Sequence, residues 1–328
     1  MRFFWPSSRG VAIMLGAALS VAASAQVARQ TLAEINADLQ AGEADKALSM
    51  IASLPQGGSN IAQAKFLECR VRYALEQWNA ASGACGRAVE LDAQNSNYHL
   101  WYGRALGGRA SSASFLSAFS LGKQVREQFE TAVRLDPRNA DALSDLGSFD
   151  VDAPGMVGGG LDKAEAVAAQ LEKVDQARAH QLRADIASSR KDYATAEGEL
   201  KAAVAASAHP ALQLTELASF YRHRQNWDQM EAAIRSAGSA AAKDRTAAVA
   251  LYDGAGVLIE ARRDPELAAK MLEDYLAGSS KTDEAPAFVA YYRLAALERQ
   301  LGKGAEAQRD EAAAQALAHD YRPKDAKH

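Results

Sequence analysis

The sequence predicts an all-α solenoid of stacked helical pairs, and three observations carry that prediction. Ala, Leu, Glu, Gln and Arg dominate the chain, while the β-branched runs and alternating apolar patterns that announce strands are missing. Anchor residues recur at Ala47, Ala81, Val125, Ala164, Ala196, Met230, Ala268 and Ala307, with spacings of 34, 44, 39, 32, 34, 38 and 39. Seven residues after each stands Leu54, Ala88, Ala132, Leu171, Ala203, Ala237, Tyr275 or Ala314, two turns along the same helix face. A period near 34 marks a repeat array in which each anchor opens the second helix of a pair.

Residues 1–25 read as a cleaved export signal. Arg2 and Arg9 form a positive start, residues 11–23 are an apolar run, and Ala23-Ser24-Ala25 supplies the small-residue cleavage site before Gln26. That run is too short to cross a bilayer comfortably. No second long apolar stretch follows, and no Cys sits just after the cleavage site, so neither a membrane anchor nor a lipoprotein is indicated. The mature chain is expected to be exported, to a periplasm or beyond the cell. Without Arg2 and Arg9, 35 basic residues face 41 acidic ones, a net charge of −6 that argues against a nucleic-acid partner.

The pairs then follow in order. Twelve residues before five of the anchors lies a small residue of the first helix: Cys69, Ala184, Ala218, Gly256 and Ala295. Such residues let antiparallel helices approach closely. Pro55, Pro137, Pro210 and Pro286 fall between units, and Asp264-Pro265 reads as a helix cap followed by Pro at the first helical position. Two units exceed the period. In the third, Gly103 and Val125 are 22 apart and the excess is GGRASSASFLSAFSLGK; in the fourth, Gly147 and Ala164 are 17 apart and the excess is APGMVGGG. Both insertions lie between the helices of a pair, on one edge, and read as long interhelical loops where a specific contact is easily gained.

The most telling junction is FETAVRLDPRN over residues 129–139, followed by ADALSDLG over 140–147. An aromatic, a small residue three positions on, an apolar-Asp-Pro turn and a new helix with a small residue inside it resemble the seam between two tetratricopeptide (TPR) repeats. The resemblance covers nearly all of the mature chain. It is strongest in units two, four, six and eight, through WNAASGACGRAVELD, ALSDLG, LTELASFYRHRQNWDQMEAAI and YRLAALERQLGKGAEAQ. It implies about eight helix-turn-helix repeats over residues 26–320, stacked in a right-handed superhelix whose first helices line a concave groove, with a tail over 321–328. A repeat cannot bury its apolar face alone, so the array stands as one body. The function implied is that of a non-enzymatic protein-binding scaffold.

Candidate chemistry is sparse. Cys69 and Cys85 lie on the two helices of unit two, each eight residues from Gln77, and in an exported chain they are candidates for a disulfide. No C-x-x-C motif or neighbouring His supports a catalytic thiol. The run MVGGG before Leu161 could hold an anion on bare N–H groups, yet Asp150, Asp152 and Asp162 flank it and no phosphate-loop motif is present. Asp150, Asp152 and Gly155 fail the spacing of a calcium loop. His99, His180, His209, His223, His319 and His328 include no metal-binding pair and read as surface or groove residues, so no metal and no cofactor is expected.

What remains is the groove. Projection of the first helices turns inward Phe66, Arg70 and Tyr73 in unit two, Leu100 and Arg104 in unit three, and Ser144 and Ser148 in unit four. It does the same for Thr215, Ser219, Arg222 and His223 in unit six, and for Tyr292, Ala296 and Arg299 in unit eight. Arg with aromatics and small polar residues suits an extended peptide, its carboxylates or its backbone. The Lys/Asn arrangement by which chaperone-binding TPR domains hold a terminal carboxylate is absent. The reading is an envelope scaffold or assembly factor with a protein or peptide partner. Its rivals are an enzyme or enzyme accessory centred on the Gly-rich loop, and a spacer in a secretion, pilus or polysaccharide complex.

Overall fold

The computed structural model describes residues 29–55, 60–278 and 281–323; the expected export signal and His328 lie outside the described residues. Sixteen α-helices make eight antiparallel pairs there, and those residues contain no strand. The pairs are α1 (29–41) with α2 (Ala44–Ser53), α3 (Ile61–Ala74) with α4 (Trp78–Leu91), α5 (Ser96–Ser111) with α6 (Phe115–Leu135), and α7 (Ala140–Asp152) with α8 (Leu161–Leu171). They continue as α9 (Gln176–Ser189) with α10 (Tyr193–Ala206), α11 (Ala211–His223) with α12 (Trp227–Ala241), α13 (Val249–Ala261) with α14 (Pro265–Ala277), and α15 (Ala287–Gln300) with α16 (Gly304–Leu317). No helix among the described residues is long and apolar enough to cross a membrane.

Local chemistry explains the breaks. Asn95, Asn139, Asp175, Asp192 and Asp264 each cap a helix by accepting a hydrogen bond from a free N–H of its first turn. The turn inside a pair recurs in form: a left-handed residue stands directly before the N-cap of the second helix at Gly42, Glu76, Lys191, Gln225 and Gly302. All eight anchors are buried, Val125 included, and so is the position seven residues on, except for half-buried Leu54.

Small residues set how close the paired and stacked helices come. A Cβ on Gly103 would lie 2.4 Å from the Phe129 ring, one on Gly147 2.3 Å from Leu182, and one on Gly254 2.5 Å from the end of Met271. In the seventh pair the contact therefore belongs to Gly254 and not to Gly256, whose Cβ would meet only the Arg293 guanidinium. The turn of that pair has two left-handed residues, Arg262 and Asp264, where those of pairs one, two, five, six and eight have one.

The insertions also differ from the loops expected. The one in unit three is mostly helical, lengthening α5 to 16 residues and α6 to 21, because its Ala, Ser and Leu residues continue both helices and leave only residues 112–114 between them. The one in unit four contains a 3₁₀ turn, Gly155–Val157, and folds back tightly: Gly160 N–H donates to Asp150 O at 2.7 Å, and a Cβ on Gly159 would lie 2.0 Å from Ala153 O.

The array does not remain open. The last pair rests on the first two, along the edge formed by their intrapair turns. Leu32, Ile35, Leu39, Ala44 and Ala47 share one apolar cluster with Leu67, Val71, Phe288, Ala314 and Tyr321. Gly42, at φ +83° and with its Cβ position 2.7 Å from Ala287 Cβ, satisfies both a left-handed turn and a close approach. His319 N–H donates to Asp45 Oδ2 at 2.7 Å, and Tyr321 O–H donates to Glu76 Oε1 at 3.4 Å. Tyr321, which the sequence places in the tail, is thus buried in this seam. Eight pairs complete one turn and seal it.

Gly147→Val is expected to lower the unfolding free energy by ~2–3 kcal/mol, since Leu182 fills the space a side chain would need. Gly107→Ala, mid-helix with no atom within 4 Å of its new Cβ, is expected to raise it by ~0.5–1 kcal/mol. Urea titration of the two variants checks the pair.

Candidate functional site

The inner face of pairs two and three carries an arginine–aromatic cluster. Phe66 packs on Tyr98 (centroids 4.8 Å apart) and edge-on to Trp101, while Tyr73 stands edge-on to Trp78 and Trp101 at 5.2 Å each. Against this aromatic wall lie two guanidinium groups. Arg70 sits 5.5 Å from the Trp101 ring centre and 5.6 Å from that of Phe66, and Arg104 lies 5.0 Å from Trp101. The positions follow from helix geometry: Phe66, Arg70 and Tyr73 are spaced by four and three residues along one face of α3.

Both arginines are occupied by the chain itself. The linker between α14 and α15 crosses to this face, and Arg70 grips Asp283 through Nε (2.5 Å) and Nη2 (3.0 Å) while Nη1 donates to Asn36 of α1 at 2.8 Å. Arg104 donates to Asp145 at 2.6 Å and to the adjacent linker residue Glu284 at 2.9 Å. Asp283 is buried, and the fork-like guanidinium meets both of its carboxylate oxygens. Burial alone would make Arg104 a weaker base; the Asp145 charge and hydrogen bond, with Glu284, override this and raise its pKa. Tyr73, enclosed beside them, is raised by burial. The linker is held from its other side as well, Tyr275 O–H donating to Ala285 O.

Beneath the cluster, α3 is joined to α4. Cys69 and Cys85 form a disulfide with Cα atoms 5.1 Å apart, within the span such a bond requires.

Further round the inner face, successive first helices each contribute a carboxylate: Asp145 on α7, Asp185 on α9, Glu216 on α11 and Asp253 on α13, with linker Glu284 completing the arc. Burial pushes Asp185 up to about 7, and Glu216 and Asp152 add repulsion. Asp253 is likewise pushed up to about 7 by burial, with Glu216 and Glu284 repelling it and Arg293 offsetting part of the effect. Burial also raises Glu216 against a hydrogen bond from Gln181, and raises Glu284 against the attraction of Arg104. Glu216 and Glu284 both remain exposed to water, which tempers the effect of burial on them. Arg293 lies 4.3 Å above the Tyr252 ring within this arc. No group of three His, Cys, Asp or Glu among the described residues is arranged to hold a metal ion.

The sequence-predicted groove residues fall into three settings. Phe66, Arg70, Tyr73 and Arg104 come together in the cluster. Ser144 is half-buried with its Oγ unpartnered, Ser148 is exposed, Arg222 pairs with Glu260 at 2.8 Å, and His223 is exposed with Nδ1 2.9 Å from Ser219 O. Tyr292 belongs to the seam, 6.0 Å from the Tyr321 ring, and Arg299 pairs with Glu311 on α16. Leu100 and Thr215 are buried between helices, while the neighbour of Thr215, Glu216, is the residue open to the interior. His99 is buried too, between Gln128 Oε1 (2.7 Å) and Ala93 O (3.2 Å), and is neither a surface nor a groove residue. The carboxylate arc went unnoticed in the sequence. Its signal is a lone acid inside an apolar or small-residue run on consecutive first helices: Ala184-Asp185-Ile186, Thr215-Glu216-Leu217 and Tyr252-Asp253-Gly254.

No protein-family profile matches the chain, and no curated protein matches it in sequence. Among solved structures, a thermophilic TPR protein of Thermus thermophilus is similar at a TM-score of 0.44 and 22% identity, over 60% of this chain and 99% of that one. The TPR-like architecture stands on this chain's own anchors, turns and pairs.

Two measurements test the site. Native, unreduced protein should show no titratable thiol, and Cys69→Ser/Cys85→Ser should lose ~2–3 kcal/mol of unfolding free energy, the value of closing a loop of 16 residues. For the arc, Asp185 and Asp253 have folded pKa values near 7, well above the ordinary carboxyl range. Their neutral forms therefore favour the fold fully at acid pH, and that contribution is lost as pH rises through about 7. Asp253→Asn is expected to flatten this decline and to be more stable than the parent at pH ~8 by ~1–2 kcal/mol, by denaturant titration across pH.

Proposed function

We propose that the ring is a non-enzymatic scaffold of the cell envelope that holds a segment of a partner protein on its inner face. The observation that supports this most is the Arg70–Arg104 cluster, where two guanidinium forks backed by Phe66, Tyr73 and Trp101 bind carboxylates of an extended stretch of chain, Asp283 and Glu284. Planar, stacked guanidinium groups of this kind recognise carboxylates in a fixed orientation. Arg222 and Arg293 continue the same surface chemistry round the interior, toward pairs six to eight.

Exported status rests on the signal-like start and the paired cysteines. A site at the Gly-rich loop gains no support, because Gly158 N–H and Gly160 N–H are spent on Gly155 O and Asp150 O within the turn. A spacer that binds through its ends gains none either, since the end pairs cover each other.

The test is capture of the partner by crosslinking in the native envelope, followed by affinity measurements on variants. Arg222→Ala and Arg293→Ala are each expected to weaken binding by roughly 10- to 30-fold, as central hot-spot residues do. Gly155→Ala, which adds a methyl in open space on the Gly-rich loop, is expected to bind normally. If Gly155→Ala abolishes binding while both arginine variants bind as the parent does, the inner face is not the site.

A further inference from the structure

Four large apolar side chains are well exposed among the described residues, and three of them lie in the two insertions: Phe115 (77%), Leu116 (80%) and Met156 (64%). Phe115 and Leu116 open α6, whose 21 residues exceed the 14 of α4, α10 or α16 by seven, about 10 Å of extra rod. The hairpin of α5 and α6 thus projects beyond the edge of the ring and ends in two bare hydrophobic residues. The 3₁₀ turn of unit four lies against the same helix, with Val157 Cβ 3.5 Å from the Cβ position of Gly122, and this brings Met156 to that edge.

The charges around the tip are one-sided. Between residues 105 and 126 the charged side chains are Arg109, Lys123 and Arg126, with no carboxylate, in a chain whose acids outnumber its bases by 41 to 37. Arg126 is held by Asp150 and Glu130, but the Lys123 ammonium lies 4.5 Å above the Phe119 ring, and Arg109 donates to Ser82 Oγ at 3.3 Å. Ser111, Ser112, Ser114, Ser117 and Ser120 flank the apolar pair in sequence, and all five are exposed. Asp152 and Asp162 flank the Gly-rich turn in sequence, and Asp152 is near enough to Asp185 of α9 to repel it.

We propose that this hairpin tip is a lipid anchor that enters the interfacial zone of an anionic bilayer. Phe115 and Leu116 insert first, Phe119 and Met156 follow at the headgroup boundary, and Arg109 and Lys123 meet lipid phosphates. A protruding helix end with a serine collar and cations set behind it suits a fluid, negatively charged surface, which needs no matching pocket. The apolar pair supplies the insertion and the cations supply the preference for anionic lipid, so the attachment is reversible and weakened by salt. The inference is independent of what the inner face binds.

The test is cosedimentation of the mature chain with vesicles of phosphatidylglycerol mixed with phosphatidylcholine, and with vesicles of phosphatidylcholine alone. The parent should bind the mixed vesicles, with roughly tenfold weaker binding to phosphatidylcholine alone. Phe115→Asp/Leu116→Asp, which alters only exposed side chains and is checked by unchanged circular dichroism, should reduce binding to background; Lys123→Glu should reduce it several-fold. Absence of parent binding overturns the proposal, as does equal binding by the double variant or equal binding to both vesicle types. So does concentration-dependent self-association that the double variant abolishes without any vesicle binding, which would assign the tip to an interface between copies.

Discussion

The closeness of helix packing governs everything else in this molecule. At Gly103, Gly147 and Gly254 no side chain larger than hydrogen fits, and at Cys69, Ala184, Ala218 and Ala295 the buried residue is small. Each such contact brings two helices together at a distance fixed by backbone and one neighbouring side chain. Repeated through eight pairs, that spacing sets how far each pair turns relative to the one before. The turn accumulates until the last pair meets the first two, and only then can Phe288, Tyr321 and the apolar side of α1 be buried. The interior chemistry is a consequence, because a closed turn confines the groups on the first helices within a space that an open array would leave to water.

That confinement accounts for the contrast between the two halves of the inner face. Around Arg70 and Arg104, cations and carboxylates are matched within hydrogen-bond distance, and burying Asp283 strengthens the pairing. Asp185 and Asp253 are each repelled by Glu216, Arg293 offsets part of this at Asp253, and burial works against the ionisation of both. The ring is therefore polarised across its interior: one side is saturated by its own charges, and the other holds protons near neutral pH.

Much of the fold could be read before any coordinates. The anchors from Ala47 to Ala307 are buried as the periodicity required, because a helix that meets neighbours every seven residues leaves a regular trace in residue size. The cysteine pair was legible for a similar reason, since equal distance from a turn puts two positions at one height. The misplacement of Gly256 for Gly254 shows the limit: the turn of that pair carries a second left-handed residue, which leaves no mark on the spacing of the sequence. Closure itself was invisible. It joins Arg70 to Asp283, Asp45 to His319 and Glu76 to Tyr321, pairs far apart in the chain whose meeting depends on the sum of many small rotations. The groove residues suffered from the same blindness, since helical projection names a face but not what the other end of the molecule will lay across it.

The seam sets a rule for how a chain like this can change over generations. Linear repeat arrays lengthen and shorten by gaining or losing whole units, because each unit touches only its neighbours and the ends are free. Here a ninth pair would carry Asp283 away from Arg70 and strip the cover from α1, and a seventh-pair deletion would leave a gap of the same cost. The number of units is locked by geometry, and extra length enters without adding a pair. Units three and four take their extra residues within a pair, while the later units take theirs between pairs, as in the linker from α14 to α15 that brings Asp283 to Arg70.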